Sequence, residues 1–309
     1  MPEITLARLN ELATSPARTI AAAETEYHAK IASAADTVVS HGIRAVLLAG
    51  PSGAGKTTTA NLLADAIRET GHAGLVVSLD DFYLDSADPR YPRFADGSRN
   101  MECAEALDLD TVRATLGDIL AGRPFAVPKY DFKCSARIGV TEYSALTDGC
   151  VVIEGLHALN PQIAGDLTTD ALLRIFVSVS TNIVNSEGKR LLSGRKMRFV
   201  RRLVRDHLYR GATAEHTLTL WRQVLAGEDA YLYPYKDSAQ LYFDTFHTFE
   251  PGVMRPFAEQ MTDAASLADP YMREVACALE QIAPISDTLV PDTSLIREFI
   301  PGGKYEYLY

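Results

Sequence analysis

The chain has 309 residues, of which 47% are hydrophobic and 23% are charged, and its formal net charge is −10. This composition is typical of a globular protein with a sizeable core, and the negative charge argues against a general nucleic-acid binder, because phosphate backbones would repel it. The four cysteines form no Cys-x-x-Cys pair, which disfavours a zinc or disulfide framework. No secretory signal and no apolar run long enough to cross a membrane are visible. We therefore expect a cytoplasmic protein with no membrane or nucleic-acid partner.

The first 42 residues are rich in alanine and predict a helical extension. Residues 21–40 contain no glycine or proline, and Gly42 is a typical end signal. The simplest interpretation is a helix that packs against the domain that follows it. We assign residues 1–42 to this N-terminal extension.

Five short apolar runs predict the strands of one sheet. They lie at residues 44–49, 74–79, 150–154, 173–179 and 240–244, and helical patterns occur between most of them at 57–69, 104–121 and 196–226. Such alternation predicts an α/β fold with a mainly parallel five-stranded sheet that helices cover on both faces. Ligands of these sheets bind at the carboxyl ends of the strands.

The end of the chain predicts a second extension. Residues 253–265 and 270–283 have helical patterns, and a mixed tail follows from Pro284 to Tyr309. We therefore divide the chain into the N-terminal extension, a central domain at 43–250, and a C-terminal helical extension and tail at 251–309.

One octet predicts the ligand. Residues 50–57 read Gly-Pro-Ser-Gly-Ala-Gly-Lys-Thr and match G-x-x-x-x-G-K-[ST], the phosphate-binding loop or Walker A motif, in its expected place between a strand and a helix. The glycines let backbone N–H groups converge on phosphates, Lys56 can bridge the outer phosphates, and Thr57 offers a hydroxyl to Mg²⁺. The predicted nucleotide-binding residues are Gly50, Pro51, Ser52, Gly53, Ala54, Gly55, Lys56, Thr57 and Thr58.

Acidic residues end two of the predicted strands. Asp80 follows the run at 74–79, and Glu154 ends the run at 150–154. Beside a phosphate loop, Asp80 can accept the proton of an attacking hydroxyl or hold a water on Mg²⁺; alternatively, Asp80 or Asp81 only caps the next turn. Glu154 matches the position of a carboxylate that supports magnesium. The predicted metal site therefore comprises Thr57, Glu154 and Asp80.

Positive charge is concentrated in a single segment. Nine of the thirty basic residues lie between Lys189 and Arg210, and Arg198, Arg202 and Arg205 recur at helical spacing. A solvated basic face would explain this pattern. However, a triphosphate must be neutralised during phosphoryl transfer, and guanidinium groups do so effectively. We favour a mobile arginine lid over the phosphates.

Residues between the two acidic strand ends could bind a second substrate. Glu102 could accept hydrogen bonds from vicinal hydroxyls, and Tyr83 or Tyr130 could stack on a flat base. The pattern alone also fits a structural role, since Tyr130 and Phe132 are residue types that commonly lie in a core.

The motifs in this order resemble the uridine kinase and phosphoribulokinase family of P-loop kinases. They are the phosphate loop, Leu79-Asp-Asp-Phe-Tyr83, Pro128-Lys-Tyr-Asp-Phe132, Val152-Ile-Glu-Gly155 and Arg201-Arg-Leu-Val-Arg-Asp-His-Leu-Tyr-Arg-Gly211. The chain is most similar to bacterial uridine kinase-like proteins, which also end in a segment like Ser294–Gly303. The resemblance implies the three-layer sandwich of the P-loop NTPases, with ATP as co-substrate and Mg²⁺ as cofactor.

The resemblance also implies a role for each matching residue. Asp80 matches the general base, Glu154 the glutamate near magnesium, and Glu102 an acid that contacts ribose hydroxyls. Three arginines match the lid, and two tyrosines match contacts to the nucleoside base. The implied catalytic residues are Asp80, Lys56, Arg202 and Arg205, Arg210 joins the nucleotide site, and the acceptor site comprises Asp80, Tyr83, Glu102, Tyr130 and Arg202.

Two departures leave the acceptor open. Eukaryotic-type uridine–cytidine kinases have a histidine where this chain has Ser135 and an arginine where it has Ala212. The family default is transfer of the γ-phosphoryl group of ATP to the 5′-hydroxyl of uridine or cytidine, a step of pyrimidine salvage. The alternatives are a sugar, polyol or sugar phosphate as acceptor, or a nucleotide-dependent switch protein. The last is disfavoured because no Asn-Lys pair exists for a guanine-specific motif. A homo-oligomer is compatible with every alternative.

Overall fold

The computed structural model describes residues 2–165 and 169–305. These residues form the strands β1 Glu3–Thr5, β2 Ala45–Ala49, β3 Ala73–Ser78, β4 Phe125–Asp131, β5 Ala136–Tyr143, β6 Gly149–Glu154, β7 Leu172–Ser178, β8 Asn182–Val184, β9 Arg190–Leu192 and β10 Leu241–Asp244. They also form the helices α1 Leu6–Ala13, α2 Pro16–Ser40, α3 Lys56–Glu69, α4 Leu109–Leu120, α5 Pro161–Ala164, α6 Gly194–Arg210, α7 Ala214–Tyr231, α8 Glu250–Met261 and α9 Pro270–Leu279. The part of the predicted tail after Tyr305 lies outside the described residues.

The central sheet confirms the predicted fold class. Its strand order is β10-β7-β2-β6-β3, and every neighbouring pair is parallel. Every residue of β2 is buried, because alternate side chains of this central strand enter opposite cores. Val46 and Leu48 join the core with α2, α3, α6 and α8, whereas Leu47 joins the core with α4 and α5. The result is a three-layer α/β sandwich.

The strand order brings the predicted acidic residues to the phosphate loop. Leu48 of β2 pairs with Glu154 of β6, and Glu154 in turn pairs with Ser78 at the end of β3. The carboxyl ends of these three strands therefore lie side by side. Asp80 follows β3 within the short 3₁₀ turn Leu79–Phe82, at the same edge of the sheet.

The prediction of one helix over 196–226 is wrong. The helix α6 ends at Arg210, and α7 begins at Ala214. Gly211 adopts the left-handed conformation (φ 64°) that favours glycine, and Thr213 caps α7 by accepting a hydrogen bond from the His216 N–H. The predicted helix over 104–121 is likewise shorter, with a 3₁₀ turn at Ala104–Ala106 before α4.

The two terminal extensions contain more than helices. The strand β1 pairs in parallel with β8, which pairs with β9 in a small second sheet that the sequence did not predict. The helix α2 lies on α3, and the Tyr27 hydroxyl is 2.6 Å from the Thr59 hydroxyl. At the other end of the chain, Leu295 and Phe299 are buried in the same core as α2 and α3.

A β-hairpin that follows α4 was also not predicted. The strands β4 and β5 pair antiparallel, and Pro128 lies within β4. Ser135 lies in the turn between them and has a positive φ of 53°. Among the described residues, no other residue except glycine has a positive φ. Within the described ranges, no helix is both long enough and apolar enough to cross a membrane.

Candidate active site

The phosphate loop is formed as predicted, and its glycines are required by close backbone contacts. Gly53 and Gly55 have φ values of 72° and 83°, which other residues rarely adopt. A Cβ atom on Gly50 would lie 2.3 Å from the carbonyl oxygen of Val177, and one on Gly53 would lie 2.7 Å from that of Arg198. Larger residues would therefore push the loop away from β7 and α6.

A buried ion pair holds the first half of the loop. Arg198 of α6 and Glu228 of α7 form two parallel hydrogen bonds of 2.8 and 2.9 Å. The Ser52 N–H donates to Glu228 at 2.8 Å, and Arg198 donates to the Ser52 carbonyl at 2.7 Å. The Arg198 and Glu228 side chains are 1% and 0% exposed. Both backbone polar groups of Ser52 are thus held by one ion pair.

A second buried pair supports the next residue of the loop. Arg201 donates to Glu250 of α8 at 2.8 Å, to the Gly53 carbonyl at 3.1 Å and to the Thr245 carbonyl at 2.8 Å. Arg198 was predicted to lie on the lid face, but its side chain is enclosed, because α6 packs into the core as far as Asp206. The sequence contained one signal of this buried pairing. Glu228 lies on the buried face of α7, because it continues the helical spacing of Trp221 and Val224.

Three further arginines of α6 meet at a single carboxylate. Arg202, Arg205 and Arg210 contact Asp206 at 3.1, 2.8 and 3.3 Å. Arg202 also donates to the Ser52 hydroxyl at 2.9 Å. The fold therefore brings the three arginines that were predicted as site residues to one place beside the phosphate loop.

Asp80 lies near Lys56 of the phosphate loop and near Arg205 and Arg210, and we call the region between these residues the cleft. Its side chain is open to solvent, but the surrounding protein raises its pKa, and the positive charges of Lys56, Arg210 and Arg205 act in the opposite direction. Asp81 instead accepts a hydrogen bond from the Tyr130 N–H at 3.3 Å. Asp80 is therefore the acid that lies near Lys56 and these two arginines, whereas Asp81 is hydrogen-bonded to the hairpin.

Glu154 and Thr57 lie together at the beginning of α3. Burial raises the pKa of Glu154 to about 7, and Lys56 opposes this shift. One carboxylate oxygen of Glu154 accepts a hydrogen bond from the Ser78 hydroxyl at 2.9 Å and lies 3.5 Å from the Thr57 hydroxyl. Desolvation outweighs the effect of Lys56 and makes the charged form of Glu154 costly, so an additional cation at this position would stabilise the carboxylate.

These donors fit magnesium better than a metal that needs a full protein cage. Across residues 2–165 and 169–305, no group of three or more His, Cys, Asp or Glu side chains could hold a metal ion. Magnesium usually needs only one or two protein ligands, because phosphate oxygens and waters complete its shell. Thr57 and Glu154 supply such donors, and Asp80 lies in the same cleft.

Aromatic rings line the acceptor side of the cleft. The ring centres of Tyr83, Tyr130 and Phe132 lie 5.0 to 5.7 Å apart. Tyr130 is buried, whereas Phe132 is 51% exposed. Burial and the negative charges of Asp80 and Glu102 raise the pKa of Tyr83. The predicted acceptor residues are thus brought together, although they come from separate parts of the chain.

Glu102 lies where the acceptor side meets α7. Burial raises its pKa, and Arg202 opposes the shift. A Cβ atom on Gly227 would lie 2.8 Å from the Glu102 Cβ atom, so α7 presses directly against this residue. Glu102 therefore lies close to Arg202, which was predicted for the same acceptor site.

The C-terminal segment also reaches the phosphate loop. Glu298 accepts a hydrogen bond from the Thr58 N–H at 2.9 Å. Leu295 packs against Gly55 so closely that a Cβ atom there would lie 2.7 Å from it. This contact gives the segment Ser294–Gly303 a place beside the site, which its sequence alone did not indicate.

The comparisons with known proteins agree with this geometry. The family model for "Phosphoribulokinase / Uridine kinase family" matches residues 45–250. A uridine kinase from Deinococcus deserti is 30% identical over 171 residues, which cover 55% of this chain and 72% of that protein. "Inorganic pyrophosphatase TTM2" from Arabidopsis thaliana is 34% identical over 151 residues, which cover 49% of this chain but only 20% of that protein.

A solved structure of a candidate fructose transport system kinase from Silicibacter sp. TM1040 is 20% identical, with a TM-score of 0.45, and the alignment covers 69% of this chain and 98% of that one.

A parallel five-stranded sheet with a phosphate loop after its central strand defines a P-loop kinase fold. The family match covers more than half of the chain. The chain therefore belongs to the phosphoribulokinase and uridine kinase family.

Proposed function

We propose that this protein is an ATP- and magnesium-dependent kinase that phosphorylates a hydroxyl group of a small molecule. The observation that carries the proposal is the place of Asp80, which faces the cleft beside the phosphate loop and is influenced by Lys56, Arg205 and Arg210. A carboxylate in this position can accept the proton of an attacking hydroxyl. The neighbouring cations can stabilise the charge on the transferred phosphoryl group.

Each group of residues has a separate part in the proposed reaction. The amides of the phosphate loop bind the phosphates, and Lys56 contacts the outer ones. Arg202 and Arg205 neutralise charge at the γ-phosphate, while Arg210 helps to bind the nucleotide. Thr57 and Glu154 would hold Mg²⁺, which supplies additional neutralisation of the phosphate oxygens. Asp80 removes the proton of the acceptor hydroxyl as its oxygen attacks the γ-phosphorus of ATP in line with the bond to ADP, which breaks.

The first candidate acceptor is uridine or cytidine. It is supported by the uridine kinases among the similar proteins and by the aromatic side chains Tyr83, Tyr130 and Phe132, which could enclose a flat base. Glu102 would then accept hydrogen bonds from the ribose hydroxyls.

The second candidate is a sugar, polyol or sugar phosphate. It is supported by Ser135 and Ala212, which stand where eukaryotic-type uridine–cytidine kinases carry histidine and arginine. The Ser135 hydroxyl bonds to the Phe132 carbonyl at 3.4 Å, so it stabilises its own turn and is poorly placed to replace an imidazole. Under both candidates we expect a cytoplasmic enzyme, and its oligomeric state is open to measurement.

The test is phosphate transfer from labelled ATP to a panel of hydroxyl compounds, with the variants Asp80→Asn and Asp81→Asn compared. We expect D80N to lower kcat at least about a hundredfold with little change in nucleotide affinity. D81N is the matched control, because an asparagine oxygen can still accept the Tyr130 N–H. Near-normal turnover by D80N would eliminate Asp80 as the base, and ATP hydrolysis that no acceptor stimulates would contradict the kinase function.

A further inference from the structure

Three buried polar atoms on the acceptor side have no hydrogen-bond partner among the described residues. They are the hydroxyl groups of Tyr91 and Tyr130 and the Nη1 atom of Arg99. Buried polar groups are nearly always hydrogen-bonded, because leaving one unpaired costs free energy. Three such atoms in one region therefore indicate a ligand that supplies the missing acceptors.

The three residues form one cluster next to the proposed active site. The guanidinium carbon of Arg99 lies 5.8 Å from the centre of the Tyr91 ring, and Arg99 is close enough to Tyr130 to influence its pKa. The Tyr130 ring in turn lies 5.7 Å from the Tyr83 ring. The charges of Asp80 and Glu102 raise the pKa of Tyr83, so Tyr83 lies close to both residues. The cluster therefore adjoins the cleft in which the acceptor would be phosphorylated.

The nearest polar side chains do not satisfy the cluster. Asp85 lies near Tyr130, but its carboxylate accepts the Arg137 N–H at 2.6 Å. The Ser135 hydroxyl lies within hydrogen-bonding reach of the Tyr130 phenol and lowers its pKa. However, this hydroxyl donates to the Phe132 carbonyl, and its contact with the phenol does not have the geometry of a hydrogen bond.

The other arginines of this region all have partners within the protein. Arg90 donates to Asp88 at 2.8 Å, Arg93 donates to the Gly97 carbonyl at 3.0 Å, and Arg137 contacts Asp108 at 3.1 Å. Arg99 differs from them because its buried Nη1 has no such partner in the described chain. Its positive charge is therefore available to a ligand.

We propose that Tyr91, Arg99 and Tyr130 bind an anionic group of the acceptor, either a phosphate or a carboxylate. The guanidinium and both phenols can donate hydrogen bonds to such a group, while Asp80 deprotonates a hydroxyl elsewhere on the same molecule. The carbonyl oxygens of a neutral nucleoside would leave the charge of Arg99 without a counterion. The inference rests on the proposed kinase function and favours the second candidate acceptor over uridine and cytidine.

The first experiment compares matched acceptors with the full chain and labelled MgATP. Each pair shares a carbon skeleton: a pentose and its phosphate, and glycerol and glycerate, with uridine as the neutral nucleoside. We expect at least one anionic member to have a kcat/KM about thirtyfold or more above its neutral counterpart and above uridine, consistent with one or two charged hydrogen bonds. A preference for the pentose phosphate would identify a phosphate as the anionic group, and a preference for glycerate would identify a carboxylate. A neutral compound phosphorylated as well as every anionic one would overturn the inference.

The second experiment changes the cluster itself. Arg99→Met removes the charge and keeps the length of the side chain. We expect it to raise the KM of the preferred acceptor about 10- to 100-fold, with kcat and the KM of MgATP within about twofold. Arg93→Met is the matched control on the same loop, and Arg99→Lys should recover part of the loss. Equal behaviour of R99M and R93M would contradict the proposed role.

A binding measurement keeps the inference separate from the proposed function. With the phosphate loop filled by a non-hydrolysable ATP analogue, calorimetry with inorganic phosphate should detect binding that R99M weakens at least about tenfold. If phosphate does not bind, or binds both proteins equally, the inference fails. If a neutral acceptor is phosphorylated as well as every anionic one and D80N abolishes the transfer, the inference fails while the kinase function stands. If no compound of the panel stimulates the turnover of ATP, the kinase function fails.

Discussion

The helix α6 carries two groups of arginines that the protein treats in different ways. Arg198 and Arg201 are 1% and 0% exposed, and each has a carboxylate of its own on another helix. Arg202, Arg205 and Arg210 all contact the one carboxylate of Asp206, and their side chains are 11%, 10% and 43% exposed. The first group is therefore fully enclosed with one carboxylate for each arginine, whereas the second keeps some exposure and shares a single carboxylate.

The difference teaches how one basic helix serves both structure and chemistry. Taking a charge out of water is costly unless it is paired and its remaining donors are hydrogen-bonded. The Arg198 side chain meets this condition with Glu228, the Ser52 carbonyl and the face of Trp221, 5.3 Å away. Its charge is balanced within the fold, so its contribution is to hold the phosphate loop. The arginines around Asp206 can instead respond to the charge of a bound triphosphate.

Removal of a carboxylate from the enclosed group should have the largest effect. Glu228→Ala leaves the Arg198 charge buried and uncompensated, so we expect it to lower the free energy of unfolding by about 3–5 kcal/mol. Glu274→Ala, which removes the exposed partner of Lys196, should cost about 1 kcal/mol or less. Denaturant unfolding measures both, and similar losses would show that burial does not separate the two kinds of pair.

Substitution in the cleft group should change catalysis more than stability. Arg205→Met removes a guanidinium near Asp80, and we expect kcat to fall about a hundredfold, which corresponds to about 2.7 kcal/mol of transition-state stabilisation. Single-turnover kinetics and a thermal melt would be run on the same preparation. A normal kcat accompanied by a large loss of stability would place Arg205 with the enclosed arginines.

The turn between α6 and α7 allows Glu228 of α7 to reach Arg198 of α6 and the phosphate loop. In Gly211→Ala the new Cβ atom would clash with nothing, because no atom lies within 4 Å of its position. However, the alanine would have to adopt a φ of 64°, which residues with a side chain rarely do. We expect a loss of about 1–2 kcal/mol and little change in KM for ATP. No change in the free energy of unfolding would show that the turn relaxes to another conformation.

The weakest effect is expected at the opposite end of the phosphate loop. Glu298 is only partly buried and accepts the Thr58 N–H, a donor at a helix start that also favours phosphate. Glu298→Gln removes a negative charge near the triphosphate, so we expect the Kd of MgATP to fall about two- to threefold, as a single helix-terminal charge would suggest. Weaker nucleotide binding would instead mean that the carboxylate supports the loop.

Several features of the site were predictable because the signals are local. Residues 50–57 contain the turn, the glycines and the helix start of the phosphate loop in one octet, and the structure forms them as expected. Asp80 and Glu154 follow apolar runs whose parallel arrangement brings their ends together. The prediction of a single helix over 196–226 was wrong for a local reason as well, since Gly211 was given too little weight as a helix terminator.

The amino-acid sequence by itself determined the family, the central sheet and the phosphate loop, because each of these depends on short motifs and on hydrophobic periodicity. Only the tertiary structure decided which arginines are enclosed and which face the cleft. Glu228 and Glu298 reach the loop across 176 and 240 residues of sequence, and the cluster of Tyr91, Arg99 and Tyr130 likewise joins distant segments. No local pattern encodes such contacts, since they exist only after the cost of burying each charge has been met by a partner from elsewhere in the chain.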